Sequence, residues 1–282
     1  MNKVWLVTGA NSGFGRAITE AAVAAGDVVV AAARRTGTLE DLVAAHPDQV
    51  EPLALDVTDL AAADAAVADV LARHGRIDVL VNNAGRGHVG AFEETGDAEL
   101  RELFEVHVFG PAALVRAVLP SMRERRSGAI VQMSSMGGQM SFAGFSAYSG
   151  TKFALEGMTE ALAAEVNPLG IRTLIVEPGA FRTSLMANLT ASPAIADYEP
   201  TVGGTRAGAA ASDGIQPGDP ARAAALILAA LDADVTPLRL PLGEDGVDAV
   251  LGHLDQVRGD IEAWEERARA TAFEDRAAPA RP

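Results

Sequence analysis

The chain has 282 residues, of which 49% are hydrophobic, and it carries a formal net charge of −15. The acidic balance argues against nucleic acid or an anionic membrane surface as a partner, and the absence of cysteine excludes disulfides and thiolate metal sites. We find neither a signal-peptide pattern nor a run approaching the roughly 18–20 apolar residues of a membrane span, so we expect a cytoplasmic protein.

Short apolar runs alternate with alanine-rich helical segments along the chain. The sequence predicts strands at Val4–Thr8, Val28–Ala32, Val50–Leu55, Ile77–Val81, Ala129–Met133 and Thr173–Val176. It predicts helices at Arg16–Ala25, Leu39–Ala45, Leu60–Arg73, Asp97–Arg125, Ala147–Val166 and Pro220–Leu231. Apolar strands separated by helices are typical of a parallel sheet covered on both faces. We therefore predict an α/β fold: a Rossmann-type doubly wound parallel sheet in one domain spanning residues 1–282.

The regular alternation of apolar strands and helices ends at about Ser184. Residues 1–184 are the predicted cofactor and catalytic core, and residues 185–219 a predicted substrate loop or lid, because Thr201–Pro220 is rich in small residues and weakly periodic. Residues 220–276 are predicted to form C-terminal helices, since apolar residues recur at helical spacing within Asp248–Arg269. We expect residues 277–282 to be a frayed tail.

A glycine-rich segment joins the first predicted strand to the first helix. Residues 8–15 read Thr-Gly-Ala-Asn-Ser-Gly-Phe-Gly. Glycines allow a sharp turn and the close approach of a pyrophosphate, and the N-terminus of the following helix attracts the anion. A tight turn without a ligand is the alternative.

The spacing Thr-Gly-x-x-x-Gly-x-Gly resembles the nucleotide loop of the short-chain dehydrogenase/reductase family. The resemblance continues to about Thr183 through Asp56-Val57, Asn82-Asn83-Ala84-Gly85 and Pro178-Gly179. It implies an NAD(P)-dependent oxidoreductase that moves a hydride between nicotinamide and a carbonyl or alcohol carbon. The residues that it implies for cofactor binding are Gly9, Asn11, Ser12, Gly13, Phe14, Gly15, Asp56, Val57, Asn83, Ala84, Gly85, Tyr148, Lys152, Pro178, Gly179, Phe181 and Thr183.

The end of the second predicted strand indicates which dinucleotide is used. Enzymes selective for NAD usually place an acid there to bind the ribose 2′-hydroxyl, whereas this chain has Arg34 and Arg35. Arginine pairs well with a 2′-phosphate. We predict NADP(H), with NAD(H) possible, Arg34 as the main contact, and Arg35 and Ser12 as helpers. Solvated surface arginines are the alternative.

Tyr148 and Lys152 lie four residues apart in a predicted helix, so their side chains share one face. The chain has only two tyrosines and two lysines, which makes the pair informative. A phenol can protonate an alkoxide, and a nearby ammonium should hold its pKa below the ordinary value of about 10. Ser135 precedes Tyr148 by thirteen residues, the spacing of the family that this chain resembles, and would be a second donor to the substrate oxygen. A packed tyrosine and a surface lysine are the alternative.

The chain departs from the family pattern at His107, where an Asn usually holds a water that links the lysine to solvent. A neutral imidazole has one donor and one acceptor and can substitute for that amide. We count His107 with the catalytic residues and expect His107→Asn to stay active with a changed pH profile. A packing histidine is the alternative. The other four histidines lack ligand spacing, so we predict no metal site.

The resemblance also suggests a substrate region of mostly apolar residues, which indicates a hydrophobic ketone, aldehyde or secondary alcohol as the small-molecule partner. The candidate substrate residues are Met136, Gln139, Phe142, Phe145, Phe181, Met186 and Leu189. Two other functions stay open, a sensor that binds NADP(H) and a redox-neutral epimerase or dehydratase. The family commonly assembles through two helices, so we expect a homodimer or homotetramer that uses Glu102–Leu119 and Ala147–Val166.

Overall fold

A parallel sheet of seven strands forms the centre of the protein, which we describe from a computed structural model for residues 2–273. The strands are β1 (Val4–Thr8), β2 (Val28–Ala33), β3 (Val50–Ala54), β4 (Val79–Asn82), β6 (Gly128–Met133), β7 (Ile171–Pro178) and β9 (Arg239–Leu242). Their order across the sheet is β3-β2-β1-β4-β6-β7-β9, and every neighbouring pair is parallel. The chain thus winds outward in both directions from β1 and β4, and the predicted doubly wound sheet is confirmed.

Nine α-helices lie within the described residues. They are α1 (Gly13–Ala24), α2 (Glu40–Ala45), α3 (Leu60–His74), α4 (Asp97–Phe104), α5 (Gly110–Arg125), α6 (Ser146–Val166), α7 (Gly204–Ala211), α8 (Pro220–Asp232) and α9 (Glu244–Arg269). All of the helices and strands predicted from the sequence are present, with ends shifted by a few residues. The predicted tail at residues 277–282 lies outside the described part of the chain, as do residues 274–276.

The core consists of two apolar layers, one on each face of the sheet. Successive side chains of a strand point to opposite faces, so Trp5 and Val7 of β1 join the layer under α1, α2 and α8, whereas Val4 and Leu6 join the layer under α3 and α5. All five residues of β1 are buried. This explains why the central strands are mostly apolar, since neither of their faces meets water.

The predicted helix Asp97–Arg125 contains a π-helical turn at Glu105–Phe109, between α4 and α5. Within residues 2–273, this helical stretch is the one that is long and apolar enough to cross a membrane by length and composition. The expectation that no such stretch exists is therefore wrong. The core helix of a soluble fold passes the same test, and half of the most apolar part of this stretch is buried inside the protein.

The segment after β7 is more ordered than its composition indicates. A second, two-stranded sheet pairs β5 (His88–Val89) with β8 (Thr190–Ala191). Part of the predicted substrate loop or lid is helical, because a π-helical turn at Glu199–Gly203 leads into α7. Val202 lies buried in this turn and holds it to the rest of the fold.

Candidate active site

A cleft of about 830 Å³ opens at the carboxyl ends of the strands, where the direction of winding reverses between β1 and β4. The predicted catalytic residues Ser135, Tyr148, Lys152 and His107 all line it. The predicted cofactor residues that line it are Gly9, Asn11, Ser12, Gly13, Phe14, Arg34, Arg35, Asp56, Val57, Asn83, Ala84, Gly85, Tyr148, Lys152, Pro178, Gly179, Phe181 and Thr183. Gly15 does not reach the cleft, since it lies beneath the loop.

Hydrogen bonds fix the glycine loop to the end of β4. The Thr8 hydroxyl donates to the Val81 carbonyl at 3.2 Å and accepts the N–H groups of Asn83 and Ala84 at 2.9 and 3.0 Å. The Asn83 amide nitrogen donates to the Thr8 carbonyl at 2.8 Å. Thr8 and Asn83 therefore hold the glycine loop against the end of β4.

Two glycines of the loop lie at positions where a side chain would clash or strain the backbone. A Cβ on Gly15 would lie 2.3 Å from the Gly9 carbonyl oxygen, and Gly13 adopts a φ of +52° beside the Thr183 side chain. Helix α1 begins here without a side-chain cap from Ser12, so the N–H groups of its first turn have no capping partner. The loop therefore fits the pyrophosphate of a dinucleotide.

Arg34 and Arg35 lie exposed at the mouth of the cleft, directly after β2. Among the residues described, neither guanidinium has a hydrogen bond or ion pair. Across the mouth, the pKa of the Asp56 carboxyl is lowered mainly by a hydrogen bond from the Thr58 backbone N–H, and the charge of Arg34 contributes. Both arginines thus remain available to an anionic group.

Ser135, Tyr148 and Lys152 converge on the floor of the cleft. Ser135 follows β6, and its Oγ accepts the Gly137 N–H at 3.1 Å, which fixes the side chain at the start of a short 3-10 turn. The Ser135 side chain interacts with the hydroxyl of Tyr148 and lowers the pKa of that group. Lys152 lies one helical turn further along α6, and its Nζ donates to the Met133 carbonyl at 2.8 Å.

Burial dominates the electrostatics of this group. It raises the pKa of Tyr148 to about 12, against the opposing effect of the Ser135 hydrogen bond. It lowers the pKa of Lys152 to about 8, against the opposing charge of Glu156. The expectation that the Lys152 ammonium holds the Tyr148 pKa below its ordinary value is therefore wrong for this structure.

Both ring nitrogens of the buried His107 have partners in the protein. Nε2 accepts the Arg86 N–H at 3.1 Å, which places the ring proton on Nδ1, 2.8 Å from the hydroxyl of Thr151. Thr151 in turn donates to the Tyr148 carbonyl at 2.7 Å. Burial, followed by the charge of Lys152, holds the pKa of His107 well below its ordinary value. The imidazole thus connects the segment after β4 to α6 in its neutral form.

A polar cluster beneath the catalytic residues was not found from the sequence. Ser134 donates to Glu156, and Gln139 donates to Glu156 at 2.6 Å and to Glu177 at 3.1 Å. Arg239 lies 3.5 Å from Glu156 and 3.4 Å from Glu177. Burial, followed by the charge of Glu156, raises the pKa of Glu177 to about 8. One signal was available, since Glu156 follows Lys152 by four residues on the same face of α6.

The predicted substrate residues are only partly in the cleft. Phe181 and Met186 line it. Gln139 is a correction, since its amide is held by the two buried glutamates and points away from the site. The other four predicted residues do not line the cleft; they are Met136, Phe142, Phe145 and Leu189. Phe142 is 43% exposed, and Phe145 packs beside the Tyr148 ring.

The lining includes residues that were not predicted. Apolar side chains come from Val106 and Leu185, and polar ones from Asn188 and Gln216. Arg86 also lines the cleft, but it forms an ion pair with Glu102 at 2.7 Å. Within residues 2–273, no group of three or more His, Asp or Glu side chains is arranged to hold a metal ion.

A glycine loop and a Ser–Tyr–Lys group that meet at the carboxyl edge of a doubly wound sheet define a dehydrogenase or reductase that acts with a nicotinamide dinucleotide. The chain belongs to the family described as short chain dehydrogenase, whose sequence model matches residues 3–194.

Individual relatives agree with this assignment. A short-chain dehydrogenase of Streptomyces avermitilis is 62% identical, with a TM-score of 0.92 over 96% of this chain and 98% of that one. Oxidoreductase BOA17 of Botryotinia fuckeliana is 36% identical over 274 residues, which cover 96% of this chain and 100% of that protein. A metagenomic short-chain oxidoreductase solved in complex with NADP is 36% identical, with a TM-score of 0.60 over 64% of this chain and 83% of that one.

Proposed function

We propose that the protein is an NADP(H)-dependent oxidoreductase that acts on a hydrophobic ketone, aldehyde or secondary alcohol. The observation that carries the proposal is the meeting of Ser135, Tyr148 and Lys152 with the glycine loop in one cleft. The metagenomic relative supports the choice of dinucleotide, since its structure contains NADP.

The nicotinamide, when bound, supplies or accepts the hydride, and the protein handles the proton. Tyr148 keeps its proton at neutral pH, because burial raises its pKa to about 12. Its hydroxyl donates that proton to the substrate oxygen during reduction. Ser135 is the second donor to the same oxygen and stabilises the charge that develops there. In the direction of oxidation, Tyr148 has to lose its proton, which its raised pKa opposes and the hydrogen bond with Ser135 favours.

Arg34 and Arg35 select NADP(H) over NAD(H) in this proposal. The two guanidinium groups have no partner among the described residues, and β2 ends without a carboxylate. A 2′-phosphate would gain charge-assisted hydrogen bonds there. NAD(H) lacks that phosphate, so we expect it to be used less efficiently.

The cleft favours an apolar substrate. Val106, Phe181, Leu185 and Met186 contribute apolar surface, and the nearby Arg86 is neutralised by Glu102. A cytoplasmic location also remains part of the proposal, as does assembly through the two helical segments Glu102–Leu119 and Ala147–Val166. Phe109, Phe153 and Met158 in these segments are 46–48% exposed, which supports a role for them in an interface.

The test is turnover of NADPH and NADH against a panel of hydrophobic aldehydes, ketones and secondary alcohols, in the protein and in Tyr148→Phe. We expect a preference for NADP(H) and a loss of at least about 100-fold in kcat in the variant, the usual contribution of a general acid. Tyr198→Phe is the matched control, since the other tyrosine of the chain lies on the surface and donates to Glu93 at 2.6 Å.

Other outcomes separate the competing functions. NADPH binding without turnover of any substrate in the panel would favour a sensor. Conversion of a hydroxyl-bearing substrate without net NADPH consumption, lost in Tyr148→Phe, would favour an epimerase or dehydratase.

A further inference from the structure

Helix α9 leaves the body of the protein after its first two turns. Its start is held by Asp245, which accepts the Ala180 N–H at 2.7 Å, and by Gly246 and Val250, which are buried. From Leu251 to Arg269 no residue of the helix is buried. These 19 residues project by about 28 Å at the usual rise of an α-helix.

The projecting part carries an apolar stripe that has no partner among the described residues. Leu254 is 46% exposed, Val257 38%, Ile261 63% and Trp264 60%. Together with Val250, these residues are spaced four, three, four and three apart. Alternating intervals of three and four are typical of the seam along which two helices coil around each other. A helix that only faced water would not need this seam.

We propose that the projecting part of α9 pairs in antiparallel orientation with α9 of a second copy of this chain. The argument is charge complementarity at the positions that flank the seam. One flank carries Arg258 and Glu265, and the other carries Asp260 and Arg267. When Ile261 packs opposite Trp264 of the second copy, Arg258 faces Glu265 of the second copy. On the opposite flank, Asp260 faces Arg267 of the second copy.

The symmetry of the pair repeats both contacts, so four pairs of opposite charge surround the seam. A parallel pair would instead place Asp260 beside Glu265 of the second copy, because the flanking residues then meet five positions apart. That arrangement brings like charges together twice. The charge pattern therefore selects the antiparallel orientation.

Contacts within the helix support this arrangement. Glu265 forms an ion pair with Arg269 at 2.7 Å, and the Arg267 guanidinium lies 5.0 Å from the centre of the Trp264 ring. The Arg267 guanidinium therefore already lies beside a residue of the seam. The helix carries eight acidic and three basic residues from Glu244 to Arg269, the opposite of the basic face that binds anionic lipid. Lipid is thus a poor occupant of the stripe, and a second copy fits its charge.

The test is a set of charge reversals measured by sedimentation over a range of protein concentrations. Arg258→Glu and Glu265→Arg each create two like-charge contacts, and we expect each to weaken one association step by about tenfold at low salt. The double variant R258E/E265R should recover that step. An equimolar mixture of the two single variants should also associate, since each supplies the charge that the other lacks.

Glu266→Arg is the matched control, because it makes the same charge change on the outer face of the helix, away from the seam, and should leave association unchanged. A chain that stays monomeric at all concentrations overturns the proposal. So does association that all of these variants leave unchanged, since the contact then lies on another surface.

A distance measurement tests the orientation separately. The chain has no cysteine, so Gly252→Cys and Glu266→Cys each provide one site for a spin label on the outer face. In the antiparallel pair the two labels at 252 are separated by about 30 Å along the helix axis, and the two at 266 by about 10 Å. Equal separations at the two positions would show a parallel pair and overturn the proposal.

Discussion

The ammonium nitrogen of Lys152 lies 5.6 Å from the centre of the Tyr148 ring. Burial disfavours the charged form of both groups: it lowers the pKa of the lysine to about 8 and raises that of the tyrosine to about 12. A charged Lys152 is therefore costly for the fold.

Replacing Lys152 with Met should stabilise the protein at pH 7 while turnover is lost. The folded pKa of about 8 lies below the value of 10.5 expected in the unfolded chain, so the folded state binds fewer protons between these values and its stability rises with pH there. The full cost of burying the charge is present below pH 8 and corresponds to about 3 kcal/mol. The Met133 carbonyl loses a hydrogen bond worth about 1 kcal/mol, which leaves a gain of about 2 kcal/mol.

Urea unfolding at pH 7 and pH 10 measures this difference, which should shrink at the higher pH. Lys3→Met is the matched control, because the only other lysine forms an exposed ion pair with Asp232. If Lys152→Met is no more stable than the parent at pH 7, the burial cost assigned to the ammonium is wrong.

Replacing Glu177 with Gln should flatten the dependence of stability on pH. Burial and Glu156 raise the folded pKa of Glu177 to about 8 from 4.5. The folded state then binds more protons than the unfolded state in this window, so its stability falls as the pH rises through it. We expect the parent to lose more free energy of unfolding between pH 5 and pH 8.5 than Glu177→Gln does. Glu160→Gln is the control, since Glu160 is a 61% exposed partner of Arg239. If Glu160→Gln flattens the pH dependence equally, the dependence does not come from the titration of Glu177.

The sequence predicted those features of the fold and the site that are determined by residues close together along the chain. The glycine loop, the apolar strands and the four-residue spacing of Tyr148 and Lys152 are local patterns, and each lies where the pattern indicates. Strand β9 was missed, because Arg239 and Pro241 break its apolar run at the edge of the sheet. Helix α7 was missed because its glycines and small side chains hide a helical period.

The direction in which individual side chains point could not be predicted from the sequence either. Gln139 lies close to the catalytic serine along the chain, yet the turn after Ser135 points its amide into the glutamate cluster. Glu156 and Glu177 come from different elements and meet only in the fold, so no spacing predicts the raised pKa of Glu177. The sequence predicted that the Lys152 ammonium would lower the pKa of Tyr148. Burial raises that pKa instead, and the extent of burial depends on how α6 packs in the fold.

Replacing His107 with Asn should leave both turnover and its pH profile unchanged between about pH 6.5 and 9. The sequence suggested a changed profile, but the pKa of the buried imidazole lies well below its ordinary value, so it does not titrate in that range. An Asn amide can accept from the Arg86 N–H through its oxygen and donate to Thr151 through its nitrogen. The profile of kcat against pH is the measurement. A shift of the profile in the variant would restore the proton-relay role to His107.

Replacing Arg34 with Glu should reverse the preference for the dinucleotide. A charge-assisted hydrogen bond contributes about 1.5–3 kcal/mol, so we expect kcat/KM for NADPH to fall by about 10- to 100-fold, and further if the new carboxylate repels the 2′-phosphate. NADH has a hydroxyl at that position, which a carboxylate can accept from, so its kcat/KM should hold or rise. Arg123→Glu is the control, as it makes the same change on an exposed side chain at the end of α5. Equal losses for NADPH and NADH in Arg34→Glu would mean that the arginine supports the loop without reading the 2′-phosphate, and the selectivity would then have to come from Arg35 or Ser12.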